Sequence, residues 1–207
     1  MDHEQRPDDS AATARLRARL DRPIVLVGMM GVGKSSVGRR LAGLLGVDFV
    51  DADEEIERAA QLTIPEIFAQ YGEAAFRDGE RRVIARLLAG EGDGPAVRVI
   101  ATGGGAFVNA ETRALIVARA VAVWLDASIE VLVERTQRRD NRPLLQTGDP
   151  RETLTRLASE RAPCYAEAPV RVVSGNAPHS RTVASVVAAL LDHLDRPAQP
   201  PEKGPQP

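Results

Sequence analysis

The stretch IVLVGMMGVGKSSVGRRLAGLL, residues 24–45, joins a short apolar run to a helical pattern through a glycine-rich turn. Residues 24–28 are typical of a buried strand, and the apolar residues of 34–45 recur at helical spacing. Between them, residues 28–35 (GMMGVGKS) match the phosphate-loop pattern G-x-x-x-x-G-K-[ST] in full. In such a loop, backbone N–H groups and the N-terminus of the next helix bind phosphate. The stretch therefore predicts a nucleotide-phosphate site at the carboxyl end of a strand.

Each residue type in this loop suits a nucleotide phosphate. Lys34 is expected to reach the β- and γ-phosphates, and the Ser35 hydroxyl to coordinate Mg²⁺. Of the 27 basic residues 25 are arginine, yet this position holds a lysine, whose compact ammonium fits inside a glycine loop. The residues expected to bind ATP in the loop are Gly31, Val32, Gly33, Lys34, Ser35 and Ser36. A chance GKS in a plain glycine turn is disfavoured by the flanking strand and helix.

The overall composition limits the class of protein. The 207 residues carry a net charge of −2 and are 43% hydrophobic, which suits a globular domain with a core of its own. Near-neutral charge and 3% aromatic residues argue against a nucleic-acid partner. The lone cysteine, Cys164, fits a reducing compartment, and no apolar run approaches the length of a membrane helix. We expect a cytoplasmic, monomeric protein with no nucleic-acid or membrane partner.

Strand-like and helix-like segments alternate along the chain. The strand-like runs are 24–28, 47–51, 97–101, 121–126 and 171–174, and the main helical patterns are 34–45, 53–60, 65–70, 73–89 and 182–194. Buried strands that alternate with amphipathic helices indicate a parallel sheet covered on both faces. We therefore predict an α/β fold, a three-layer α/β/α arrangement with a five-stranded parallel sheet. It forms a single domain over residues 22–195, between a flexible extension (1–21) and a disordered proline-rich tail (196–207).

Two carboxylates follow the second strand. Because ligands bind at the carboxyl ends of parallel strands, Asp51 and Asp53 are expected to face the same crevice as the phosphate loop. One would lie near Mg²⁺ and the other near an acceptor hydroxyl. Helix capping explains these carboxylates equally well.

Three further features are typical of anion recognition. Arg77 precedes Glu80 by three positions on a helix, and the glycines 103–105 expose backbone N–H groups after the third strand. The segment 135–145 (RTQRRDNRPLL) carries four arginines and suits a lid that closes over phosphates. Taken singly, Arg77 as a surface ion pair and the arginine-rich segment as a solvated loop are the simpler interpretations.

Taken together in this order, the motifs resemble the shikimate kinase family over residues 23–194. The matching pieces are VGMMGVGKSSVGRRLA, FVDADEEIE, IPEIFAQYGEAAFRDGE, VIATGGGA, WLD, RTQRRDNRPLL and LASERAPCYAEA. The resemblance implies a P-loop kinase fold with a helical substrate-binding region and a lid at about 136–150. It also implies transfer of the ATP γ-phosphoryl group to the 3-hydroxyl of shikimate, giving shikimate 3-phosphate and ADP, in chorismate and aromatic amino-acid biosynthesis.

The resemblance implies roles at the phosphate end of the site. Asp51 would hold Mg²⁺ beside Ser35, and Asp53 would bind the shikimate hydroxyls and accept the attacking proton. Arg142 in the lid would contact the phosphates, and Arg135 would lie along the adenine. The catalytic residues implied are Lys34, Asp53 and Arg142, with ATP and Mg²⁺ as cofactors.

At the acceptor end, Arg77 and Arg161 would bind the shikimate carboxylate. Gly103, Gly104 and Gly105 would lie against the ring, while Glu80 would orient Arg77. Tyr165 is assigned to packing rather than chemistry, and the segment 174–180 matches the family poorly, so its adenine-side contact stays unassigned.

Two other functions stay open. A gluconate kinase shares the fold and the phosphate loop. It should not need paired arginines placed, as here, together with Phe76-Arg77 and the glycines 103–105. A nucleotide-binding domain that serves interaction only is disfavoured, because the charged candidates are retained together. A guanine-nucleotide switch would need an N-K-x-D element, which the sequence lacks.

Overall fold

The computed structural model describes residues 7–90, 97–137 and 149–196. The strands are β1 (Ile24–Val27), β2 (Asp48–Asp51), β3 (Arg98–Ala101), β4 (Val121–Asp126) and β5 (Val170–Val173). The helices are α1 (Pro7–Arg19), α2 (Lys34–Leu45), α3 (Ala52–Ala60), α4 (Ile64–Ala89), α5 (Ala110–Arg119), α6 (Ile129–Gln137), α7 (Pro150–Tyr165) and α8 (His179–Asp195). The segments predicted as strands are all strands, and each bound differs from the predicted one by one residue or less.

The five strands form one parallel sheet in the order β2-β3-β1-β4-β5. All four residues of the central strand β1 are buried, because helices cover both faces of the sheet. After β1 the chain forms β2 and β3 on one side of that strand, and then β4 and β5 on the other side. The direction in which strands are added therefore reverses at β1. A crevice forms at such a reversal, and the phosphate loop follows β1 directly into it. The predicted α/β class is confirmed.

The N-terminal segment differs from the expected flexible extension. Residues Pro7–Arg19 form α1, which packs on α8 with Leu16 completely buried. Arg15 Nη2 lies 2.6 Å from Asp195 Oδ2, and Arg19 also bonds the Asp195 carboxylate. The polar composition of the extension does not reveal this docking, because Leu16 stands between two arginines. Ala12 and Leu20 also pack against the main core.

Helix α4 joins two segments that were predicted as separate helices. Its start is a capping box, in which Thr63 Oγ1 accepts from Glu66 N at 3.4 Å and the Glu66 carboxylate accepts from Thr63 N at 2.7 Å. Gly72 interrupts the helix with φ 78°, a conformation that glycine adopts without a steric penalty. Residues on both sides of this interruption pack with α3 around a second small core, formed by Ile56, Ile67 and Phe76. The predicted helical region therefore has a hydrophobic core of its own beside the main one.

The main core fills the space between the sheet and its covering helices. Its largest fully buried side chains include Tyr165, Phe107, Leu26, Leu41 and Ile100. Among the residues that the structure describes, no helix combines the length and apolarity needed to cross a membrane.

Candidate active site

The phosphate loop closes around its lysine. Gly28, Gly31 and Gly33 all have positive φ, of 132°, 83° and 100°, which side chains rarely adopt. A Cβ on Gly28 would also collide with the carbonyl oxygen of Leu125. Lys34 Nζ donates to the carbonyls of Gly28 at 2.8 Å and of Met29 at 3.0 Å, and its side chain is buried. The loop thus places an ammonium group where the predicted phosphates would bind.

A hydroxyl and a carboxylate meet beside this loop. Ser35 Oγ donates to Asp51 Oδ2 at 2.7 Å. The other oxygen of Asp51 accepts from Asp53 N at 3.2 Å and caps α3, so the capping interpretation also holds. Hard oxygen ligands of this kind are those Mg²⁺ prefers, with phosphate and water completing its shell. The donor set fits the predicted magnesium site.

Asp53 lies in the first turn of α3, half-buried and close to other charges. Burial, with the nearby Asp51 carboxylate, raises the pKa of Asp53 to about 6, although Lys34 acts in the opposite direction. A carboxylate with a pKa near neutrality is suited to accepting a proton from a hydroxyl. The structure therefore places a candidate proton acceptor at the edge of the phosphate site.

The glycines at 103–105 bring the remaining candidates together. A Cβ on Gly103 would lie 2.8 Å from Asp53 Oδ1, and one on Gly105 would lie 2.5 Å from Arg77 Nη2. A Cβ on Gly104 would lie 3.4 Å from Arg161 Nη1. The charged side chains nearest to Gly103, Gly104 and Gly105 thus come from α3, α7 and α4 respectively. We call residues 103–105 the triglycine turn. Two guanidinium groups and two carboxylates stand around it, because Glu80 Oε1 would also lie 3.2 Å from a Cβ on Gly103.

Arg77 is oriented by a buried partner. Its Nη1 lies 2.7 Å from Glu80 Oε2, and Glu80 is only 1% exposed. Burial raises the pKa of Glu80, and the hydrogen bond and charge of Arg77 oppose that rise. Glu73, 3.3 Å away, is an exposed second partner. Arg77 is therefore more than the surface ion pair that a single-residue interpretation favours.

Arg161 and Tyr165 both approach the triglycine turn from α7. Arg161 Nη1 donates to the Gly104 carbonyl at 3.2 Å, and the Tyr165 hydroxyl donates to the same oxygen. Burial raises the pKa of Tyr165 to about 12, so the phenol stays protonated and able to donate. The sequence predicted Tyr165 as a packing residue. The structure adds a hydrogen bond that sequence periodicity does not reveal.

Arg135 connects the phosphate loop to the chain after β5. Its guanidinium donates to Val32 O at 2.9 Å, to Ser174 Oγ at 3.2 Å and to Gly175 O at 2.6 Å. His179, which sequence reasoning missed, lies on the same side: its Cε1 is 3.2 Å from where a Cβ on Gly33 would be. The only sequence signal for His179 is its place in the unassigned segment 174–180. The structure thus joins Arg135 to the loop, and its expected position along the adenine stays a prediction.

Part of the predicted lid lies outside the described residues. Arg142 and the rest of 138–148 belong to that part, so the expected phosphate contact of Arg142 stays a prediction. The lid's described ends are the last residues of α6 and Asp149, which caps α7 by accepting from Arg151 N at 2.9 Å.

The comparison with family models agrees with this geometry. The family described as "Shikimate kinase" matches residues 30–192. The chain belongs to the shikimate kinase family. The sequence-based resemblance is thereby confirmed, and with it the prediction of a P-loop kinase enzyme.

Individual members of the family match over most of the chain. A shikimate kinase of Novosphingobium aromaticivorans is 58% identical over 190 residues, covering 92% of this chain and 98% of the relative. One of Caulobacter vibrioides is 60% identical over 177 residues, covering 86% of this chain and 84% of the relative. These shares leave little of either relative unmatched.

Among solved structures, a shikimate kinase superposes on this chain more closely than a gluconokinase does. The shikimate kinase of Acinetobacter baumannii, in complex with shikimate, superposes with a TM-score of 0.75 at 38% identity, over 86% of this chain and 96% of that one. A gluconokinase of Sinorhizobium meliloti reaches a TM-score of 0.51 at 22% identity, over 83% and 93%. The second likeness concerns the fold alone, which the family shares with other small-molecule kinases.

Proposed function

We propose that the protein transfers the γ-phosphoryl group of ATP to the 3-hydroxyl of shikimate, giving shikimate 3-phosphate and ADP. The reaction serves chorismate and aromatic amino-acid biosynthesis. The observation that carries this proposal is the triglycine turn, whose three glycines face Asp53, Arg161 and Arg77 beside the phosphate loop. Shikimate has a carboxylate at one end and hydroxyls at the other, which is the complementary arrangement.

The two arginines would bind the carboxylate of the acceptor. Arg77 is fixed by Glu80, and Arg161 by the Gly104 carbonyl, so both guanidinium groups are held before the substrate arrives. Planar guanidinium groups match a carboxylate through paired hydrogen bonds, which a lysine ammonium cannot reproduce. An acceptor anchored in this way would present its hydroxyls toward Asp53.

The transfer itself would use groups already placed at the loop. As the 3-hydroxyl oxygen bonds to the γ-phosphorus, the bond from that phosphorus to the bridging oxygen breaks, ADP leaves, and the hydroxyl proton passes to Asp53. Lys34 would stabilise charge on the transferring group. Ser35 and Asp51 would hold Mg²⁺, which when bound would neutralise phosphate charge. Positioning and charge stabilisation would then supply most of the rate.

Two nucleotide contacts complete the proposal. Arg142, before Pro143 in the R-P-L-L motif, would contact the transferring phosphates. Arg135 would lie along the adenine, and its bonds to Val32 and Gly175 support a position at the nucleotide end of the crevice. Backbone groups of residues 31–36 would bind the phosphates.

A coupled assay of ADP release tests the function. The purified protein is supplied with MgATP and, in parallel, with shikimate, gluconate or AMP. We expect ADP with shikimate alone, and phosphorus NMR of the product should show a phosphate ester at the 3-position. Lys34→Ala should abolish ADP release with every acceptor, which excludes a contaminating kinase. ADP formed with gluconate but not with shikimate would overturn the proposal.

A further inference from the structure

The triglycine turn and the segment that follows it are held against α7 by two side chains. The Tyr165 hydroxyl donates to the Gly104 carbonyl. Arg113, from α5, donates to the carbonyls of Phe107 at 3.1 Å and Val108 at 3.0 Å. Its Nε also lies 2.9 Å from the Glu167 carboxylate, just after α7. Both ends of the segment 104–108 are thereby tied to the same helix end.

Tyr165 lies between the triglycine turn and the phosphate loop. It is 1% exposed, its ring stands 5.9 Å from that of Trp124, and its hydroxyl is 4.0 Å from the sulfur of Met29 in the phosphate loop. A side chain packed this tightly has one orientation, so its hydroxyl marks a fixed point for the Gly104 carbonyl. The phenol thus sets the distance between α7 and the triglycine turn.

Arg161 donates a hydrogen bond to the same carbonyl oxygen as Tyr165. Residues 161 and 165 are four apart on α7, so they lie on one face of the helix. Both donate to the Gly104 carbonyl, whose oxygen can accept two hydrogen bonds. The position of the Arg161 guanidinium therefore depends on where the phenol holds that carbonyl.

We propose that Tyr165 is a positioning residue for the acceptor's carboxylate, acting through the Gly104 carbonyl on Arg161, with Arg113 and Glu167 supporting the same segment. This inference rests on the proposed function and adds to it the means by which α7 and the triglycine turn are held in register. Tyr165 itself does not contact the substrate. Its hydroxyl supplies specificity for an acid acceptor by fixing the group that binds the carboxylate.

Tyr165→Phe isolates the hydroxyl while keeping the packed ring. We expect the KM for shikimate to rise about fivefold, the effect of one lost hydrogen bond, with kcat and the KM for ATP nearly unchanged. Tyr71→Phe is the matched control, because Tyr71 is 63% exposed on α4 and should change nothing. Glu167→Gln, which weakens the Arg113 anchor without touching the core, should raise the KM for shikimate in the same direction.

A double-mutant cycle separates positioning from general loosening. If Tyr165 acts through Arg161, adding Tyr165→Phe to Arg161→Ala should leave the KM for shikimate within twofold of the single Arg161 variant. A full fivefold effect in that background, or equal rises in the KM for ATP, would overturn the positioning role. If the unmodified protein phosphorylates shikimate and Arg161→Ala raises the KM for shikimate, but Tyr165→Phe leaves the kinetics unchanged, this inference alone would be overturned. Absence of shikimate activity in the unmodified protein would instead overturn the proposed function.

Discussion

Arg77 and Glu80 form an ion pair in which only one partner can reach solvent. The Nη1–Oε2 distance is 2.7 Å, and the Glu80 side chain is 2% exposed against 25% for Arg77. A buried carboxylate that keeps one strong partner holds that partner in place, because breaking the pair would leave a charge without hydration. Glu80 thus holds the guanidinium against the triglycine turn, where a Cβ on Gly105 would lie 2.5 Å from Nη2. In the proposed function the guanidinium held there binds the substrate carboxylate.

The pair predicts a pH dependence of acceptor binding. Burial raises the pKa of Glu80, so this carboxyl takes up a proton at a higher pH than an exposed glutamate. As the pH falls toward that raised pKa, Glu80 becomes neutral and its hold on Arg77 weakens. Glu80→Gln should weaken shikimate binding about tenfold at neutral pH, in line with the loss of a charged hydrogen bond. Calorimetric Kd values measured across the acid range should show the unmodified protein converging on the variant.

The conservative control for that experiment is Glu73→Gln. Glu73 also faces Arg77, at 3.3 Å, but its side chain is 69% exposed. Exposed ion pairs contribute at most about 1 kcal/mol, so this variant should bind shikimate nearly as the unmodified protein does. A Glu80→Gln variant with unchanged affinity would contradict the orienting role.

Arg161→Ala should raise the KM for shikimate by about ten- to a hundredfold, the range for a lost charged hydrogen bond. The KM for ATP should change little, because the guanidinium lies at the triglycine turn. Arg156→Ala is the matched control on the same helix, since Arg156 pairs with Glu160 at the surface and is 62% exposed. Steady-state kinetics with each substrate varied in turn distinguish the two. Unchanged shikimate kinetics in Arg161→Ala would show the carboxylate assignment to be wrong.

Gly105→Ala should displace Arg77 without unfolding the protein. The added Cβ would lie 2.5 Å from Nη2 and 2.7 Å from Nη1, so the Arg77 guanidinium would have to move away from the turn. We expect the KM for shikimate to rise at least about tenfold through the lost charged contact. The melting temperature should fall as well, because moving Arg77 weakens its pair with the buried Glu80 carboxylate. A normal KM in this variant would mean that Arg77 binds no acceptor from its present position.

The control for added methyl groups is Gly43→Ala on α2. Nothing lies within 4 Å of the position its Cβ would take, and its conformation is helical. Alanine there should stabilise the protein by about 0.5–1 kcal/mol with unchanged kinetics. Urea unfolding measures that gain.

Leu16→Ala tests the docking of α1. Leu16 is completely buried, so truncation should lower the free energy of unfolding by about 2–5 kcal/mol. Val117→Ala, a truncation at a residue 44% exposed on α5, should cost far less. Equal stabilities of the two variants in urea would contradict the packing of α1 on α8.

Sequence patterns located the elements well where the signal was local. β4 has the predicted bounds, and Gly72 divides α4 between the two helical patterns predicted for it. The docking of α1 was missed because Leu16, which is completely buried, stands among arginines and gives no clear periodicity. The bonds of Arg135 to Val32 and Gly175 were also missed, since they join positions far apart in the chain.

The sequence by itself determined the parallel α/β class and the phosphate loop. Strand and helix periods are local properties, and the loop's glycines and Lys34 are adjacent in the chain. The resemblance implied that Asp53, Arg77 and Arg161 bind one substrate. Only the tertiary structure showed these side chains, from three different helices, meeting at one glycine turn. Such contacts depend on how helices pack on the sheet to within an ångström or so. No local pattern encodes that distance, because packing is the joint result of many side chains along the whole chain.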